Sequence, residues 1–146
     1  MDKTVPTGPP PISGVLETSL YARDLARTAA FYRDLFEFRA LVDSPRLVAF
    51  DVASKSVLLV FQAGATEQDV TDARGVIPGH DGRGRMHFAV SIAASDLDRW
   101  RARLAHQGIQ VDEYRWPLGG TSLYFRDPDE ALVELATPGL WWPVRD

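Results

Sequence analysis

The sequence predicts an α+β fold built from two βαβββ modules, and three observations lead there. A strand-like run followed by an amphipathic helix occurs twice, about 70 residues apart. Each helix is followed by three short strand-like runs bounded by turn residues. A Gly-rich stretch without periodicity, residues 62–84, separates the two sets. Identity between the halves is slight, so the repeat rests on element order. A sheet with one apolar face cannot bury it alone. Pairing two such sheets closes a core and leaves a concave face, where ligands bind.

The elements follow in order. Residues 1–11 (MDKTVPTGPPP) read as a flexible lead-in, because Pro removes backbone donors and biases its neighbours away from helix. A single domain is predicted over 12–137, as a first half 12–63, a loop 64–84 and a second half 85–137, with a tail at 138–146. Residues 15–21 (VLETSLY) form the first strand. Asp24 is placed to cap a helix in which Leu25, Ala29, Tyr32 and Leu35 recur at helical spacing, ending near Phe36. Strands are predicted at 38–42, 47–52 and 56–61, with turns at Ser44-Pro45 and Ala53-Ser54-Lys55. An irregular stretch of some twenty residues inside a compact domain reads as a linker or lid. The second half opens with the strand 86–92 (MHFAVSI). Ser95 is the predicted N-cap of its helix, with Asp98 three residues on as a weak capping box. Leu97, Trp100 and Leu104 make the apolar stripe, and Gly108 ends it. Strands at 109–114, 122–126 and 131–136 complete the set.

Composition narrows the chemistry. The chain has 146 residues, with 45% hydrophobic and 25% charged, as in ordinary globular proteins. Its net charge of -4 and lack of basic runs argue against a nucleic-acid surface. There is no run of 18 apolar residues to span a membrane and no signal-peptide pattern, so a cytoplasmic location is expected. With no Cys, thiolate zinc sites and cysteine nucleophiles are excluded, and a metal would need His and carboxylates.

Three potential ligands stand on predicted strands: Glu17 in the first, His87 in the opening strand of the second half, and Glu134 in ALVELA. Alternation puts Leu132, Glu134 and Ala136 on one side. A carboxylate in so apolar a strand is costly to bury without a partner. Glu17 and His87 are quasi-equivalent in the repeat, and the counterpart of Glu134 is about Leu59, which cannot ligate. Carboxylate and imidazole ligands suit Mn, Fe, Ni or Zn. A lone strand Glu is more often solvent-facing and a lone strand His more often a packed structural residue, so the residues alone do not establish a metal triad.

The segments LYARDLARTAAFYRDLFEF, MHFAVSI and SLYFRDPDEALVELATP resemble the vicinal oxygen chelate superfamily, which includes glyoxalase I, bleomycin-resistance proteins and extradiol dioxygenases. With matching spacing they cover residues 12–138. The Phe31-Tyr32-Arg33 helix signature and the Asp127-Pro128-Asp129 turn are characteristic of the superfamily, not of one activity in it. The resemblance implies that the modules pair mixed sheets into a half-open barrel around a cavity holding a divalent metal. It places the metal ligands at Glu17, His87 and Glu134. Glu17 departs from the usual His or Gln there. The single His argues against dioxygenase chemistry, and Leu59 weakens a strict glyoxalase I assignment. Glu37 and Glu130 stand where family members commonly have Gly.

The expected activity is that of a divalent-metal-dependent lyase, isomerase or related enzyme. It would act on a small oxygenated substrate by chelation and Lewis-acid catalysis. Glu17 or Glu134 would serve as general base and Tyr124 as hydrogen-bond donor to an oxyanion. The alternative is a metal-free small-molecule-binding protein of the bleomycin-resistance type. A homodimer is expected for either. His80, in GHDGRGR, is expected to be exposed, His106 to complement the helix dipole, and Arg83 and Arg85 to be solvated. Trp116, Trp141 and Trp142 would cover the open end of a cavity or seal a dimer contact.

Overall fold

The structure is a computed structural model that describes residues 8–145. Most of the predicted lead-in, residues 1–7, lies outside the described residues, and residues 8–16 carry no helix or strand. The elements are β1 (Glu17–Ala22), α1 (Leu25–Phe36), β2 (Ala40–Asp43), β3 (Leu47–Val52), β4 (Ser56–Gln62), β5 (Val70–Asp72) and β6 (Gly75–Ile77). They continue with β7 (His87–Ser91), a 3-10 turn (Ala94–Asp96), α2 (Leu97–His106), β8 (Asp112–Arg115), β9 (Thr121–Arg126) and β10 (Leu132–Ala136). Two mixed four-stranded sheets result, ordered β1-β4-β3-β2 and β7-β10-β9-β8. The α+β pair of βαβββ modules is borne out, and the sheets do not join into a closed barrel.

The repeat is visible in the register. In the first module β1 runs parallel to β4 with Glu17 opposite Val57; in the second β7 runs parallel to β10 with His87 opposite Leu132. Two residues further along, Leu59 and Glu134 occupy matching places. The quasi-equivalence expected from element order therefore holds at the level of individual residues.

Strand alternation decides which face is buried. Leu20 and Ala22 of β1, Leu58 and Val60 of β4, Phe88 of β7, Leu123 and Phe125 of β9 and Val133 and Leu135 of β10 all enter one core with α1. Each fully buried Leu, Val or Phe among them contributes about 1.5–3 kcal/mol. Helix α1 is shared between the sheets. Tyr32 is fully buried, and its hydroxyl donates to Asp127 Oδ2 at 2.8 Å. Thr28 Oγ1 donates to Asp129 Oδ2 at 2.5 Å. The Asp127-Pro128-Asp129 turn thus docks the second module onto the first helix.

The helix signals fared unequally. Asp24 caps α1 by accepting from the Arg27 amide at 3.1 Å. Ser95 does not cap α2: it lies inside the 3-10 turn, and the Asp96 that precedes the helix makes no side-chain cap bond. Gly108 does end the helix, with φ 69°. The stretch 62–84, expected to be irregular, contains the β5–β6 hairpin. Predicted strand 109–114 is observed as the shorter, shifted β8 (Asp112–Arg115), with Ile109 and Val111 ahead of it packed against the core.

Candidate functional site

The face of β7, β9 and β10 turned away from the core gathers polar groups. His87 and Glu134 lie on adjacent strands, with His87 Nε2 3.2 Å from Glu134 Oε2. The imidazole is oriented from behind, Nδ1 lying 2.9 Å from the Leu132 carbonyl oxygen. A carbonyl only accepts, so Nδ1 carries the hydrogen and Nε2 is the free position. Two acceptor atoms, a neutral Nε2 and a carboxylate oxygen, do not approach to 3.2 Å without a proton or a cation between them.

Glu134 is buried at 5% exposure, while the His87 side chain remains 47% exposed. The carboxylate is held from the protein side: Ser122 Oγ donates to Oε1, and Trp116 Nε1 donates to Ser122 Oγ at 2.8 Å. This Trp116–Ser122–Glu134 chain fixes one carboxylate oxygen and leaves Oε2 toward the imidazole. Ser122 was not foreseen, although its place two residues before Tyr124 on β9 puts it on the same face. Tyr124 sits directly across from Glu134 in the β9–β10 ladder, with its ring centroid 6.3 Å from that of His87. Burial raises its phenol above the ordinary value; the Ser122 hydroxyl opposes this and Glu134 reinforces it. Tyr124 is thus a neutral donor at neutral pH.

These groups floor a cleft of about 650 Å³ whose other wall is the C-terminal segment, with Trp116, Trp141 and Trp142 around it. Glu17 is elsewhere. It is exposed on β1, an edge strand of the first sheet, and among the described residues no three His, Asp or Glu gather closely enough to hold a metal. One chain brings together His87, Glu134 and Tyr124 but not Glu17.

His80 is a correction to the reading of GHDGRGR as exposed. It is half-buried, with Nδ1 2.6 Å from the Tyr21 hydroxyl and its ring against Phe61. His106 lies in the last turn of α2 as expected. Arg83 and Arg85 line a second cleft of about 510 Å³, but face Asp81 and Glu130 at 3.9 and 3.6 Å and are mostly exposed. No helix among the described residues is long and apolar enough to cross a membrane.

Two βαβββ modules, with an imidazole and a carboxylate on one open sheet face, define the class. Residues 14–135 match the family described as the Glyoxalase/Bleomycin resistance protein/Dioxygenase superfamily, and the chain belongs to it. A solved structure of lactoylglutathione lyase from Agrobacterium tumefaciens is 35% identical, with a TM-score of 0.81 over 90% of this chain and 98% of that one. The metallothiol transferase FosB of Bacillus licheniformis is 27% identical over 86% of this chain and 76% of its own length. The fosfomycin resistance protein FosX from Mesorhizobium loti is 25% identical, with a TM-score of 0.58 over 86% of this chain and 92% of that one.

Proposed function

We propose that the chain is a divalent-metal-dependent enzyme of the glyoxalase type, a lyase, isomerase or related catalyst acting on a small oxygenated substrate. The observation that carries this reading is the His87–Glu134 pair: Nε2 and Oε2 at 3.2 Å, with Nδ1 turned to a backbone carbonyl and Oε1 to Ser122. An oriented imidazole and a hydrogen-bonded carboxylate on an open face form the ligand arrangement of mononuclear metal sites. The donor set suits Zn, Ni, Mn or Fe. The similar proteins, a lactoylglutathione lyase and metallothiol transferases, support the same class.

Two ligands are too few for a catalytic site, which takes three protein donors and leaves open positions. Glu17 is the third in this reading, supplied by the second chain of a homodimer. Its exposure on β1, an edge strand of the first sheet, supports that placement. When bound, the metal acts as a Lewis acid toward substrate oxygens. Within the chain, His87 and Glu134 anchor, Ser122 and Trp116 orient Glu134, and Tyr124 donates a hydrogen bond to an oxygen that gains negative charge. A carboxylate at Glu17 is the candidate general base.

A metal-free binding protein of the bleomycin-resistance type is the second reading, favoured by the aromatic rim of the cleft. Elemental analysis of the purified protein separates the two. Stoichiometric divalent metal that is lost in His87→Ala and in Glu134→Ala supports the enzyme; a native protein that stays metal-free after reconstitution overturns it.

A further inference from the structure

The C-terminal segment is fixed where it crosses the site. The Thr137 amide donates to the Thr121 carbonyl at 3.0 Å, and the Thr121 amide donates to Thr137 Oγ1 at 2.8 Å. Gly139 and Gly120 then cross so closely that a Cβ on Gly139 would lie 2.6 Å from the Gly120 nitrogen. Beyond this crossing come Trp141 and Trp142, held beside the cleft yet 79% and 78% exposed. Indoles carry a large apolar area, and two exposed side by side at a cavity mark a contact surface for a ligand or another chain. Trp116, on the same cleft, has its Nε1 committed to Ser122, and its ring meets Tyr114 at 4.7 Å, edge to face.

Charge narrows what the cleft takes. Arg145 is the one Arg or Lys among its described lining residues, and it lies at the far end of the tail. Strands β1 and β4 of the Glu17 sheet contain neither Arg nor Lys, while Arg23, Arg83 and Arg85 line the separate cleft beside Tyr21. An anionic ligand would find few donors here, whereas a flat uncharged ring would find three indoles.

We propose that Trp116, Trp141 and Trp142 form an aromatic subsite beside His87 and Glu134 that selects substrates with a planar, uncharged aromatic portion. This rests on the proposed function for the adjoining oxygen atoms, but the subsite itself is carried by the tail geometry. Stacking on an indole positions the ring, and the substrate oxygens then point toward His87 and Glu134.

Isothermal titration calorimetry on the purified full chain tests it with three probes: 2,3-dihydroxynaphthalene, cis-1,2-cyclohexanediol and 3,4-dihydroxybenzoate. The naphthalene diol binds at least about tenfold more tightly than the non-planar diol and the carboxylated ring. The double variant Trp141→Ala, Trp142→Ala loses at least about tenfold in affinity for the naphthalene diol, with metal content and sedimentation unchanged. Equal binding of planar and non-planar diols, or affinity indifferent to the double variant, overturns the subsite. So does a double variant that changes only the oligomeric state, since the indoles then serve a chain–chain contact. A metal-free protein that still binds the naphthalene diol through Trp141 and Trp142 leaves the subsite standing and removes the enzyme reading. A metal-loaded protein indifferent to them does the reverse.

Discussion

His87 and Glu134 take their meaning from what stands behind them. The Leu132 carbonyl sets the imidazole tautomer, and Ser122 holds one carboxylate oxygen. Such supporting bonds change metal affinity without removing a ligand. Ser122→Ala is expected to weaken metal binding about 10–100-fold with little change in thermal stability, read by competition with a chromophoric chelator. Alternation and the cost of a carboxylate among apolar neighbours marked Glu134 in the sequence, and the repeat marked His87. Ser122 was not legible, because a Ser in a strand is as much at home on an exposed face and nothing in the sequence marks this one as buried. His80 was misread for a related reason: Gly neighbours signal a loop, not that Tyr21 and Phe61 close over it.

Also at this scale, Asp127 is buried and accepts from Tyr32 and from the amides of Asp129 and Ala131. Burial raises its carboxyl above the ordinary carboxylate range, against the hydrogen bonds that lower it. The folded chain then binds a proton more readily than the unfolded one between those two values. Stability from this group is present at the acid end and falls as pH rises through the window. Relative to Asp127→Asn, which keeps an acceptor for both amides, the wild type should lose stability from about pH 4 upward. Urea denaturation of both proteins across that range checks the sign. Tyr32→Phe, which leaves the buried Asp127 oxygen short of a donor, is expected to cost about 1–3 kcal/mol in the same assay.

Among the elements, α1 was the most legible, since cap, stripe and end all agreed. Its C-cap is Glu37 in the left-handed region at φ 56°, with its amide donating to the Arg33 carbonyl. A non-Gly residue there is strained, and Glu37 is exposed, so Glu37→Gly should raise the melting temperature by about 2–4 °C. Calorimetry that shows a lower value would mean the side chain contributes more than its conformation costs. Glu130, at φ 66°, has the same backbone but an Arg85 partner at 3.6 Å, which makes it the poorer test. The β5–β6 hairpin escaped notice because three-residue strands are shorter than any periodic signal. Ser95 misled because a 3-10 turn over Ala94–Asp96 precedes α2, which moves the N-cap place one residue on, to Asp96. The β3 and β10 strands were legible from their apolar runs alone.

For the whole molecule, the element order and module pair could be read directly, because each module repeats the same sequence of periods. What could not be read was the spatial relation of Glu17 to His87 and Glu134. All three stand on sheet faces turned from the core, yet Glu17 lies on the other sheet. In the proposed reading a site of all three would be completed by a second copy, and a two-fold dimer would contain two such sites. Complementation follows from that geometry. Glu17→Ala and His87→Ala chains, each defective alone, regain one intact site in every mixed dimer.

The most direct test is therefore metal content after unfolding, mixing and refolding equal amounts of these two variants. Random pairing should restore about a quarter of the wild-type metal per chain, while each variant refolded alone holds almost none. No recovery in the mixture, or full metal in the Glu17→Ala protein alone, would contradict a centre made by Glu17 of one chain with His87 and Glu134 of the other.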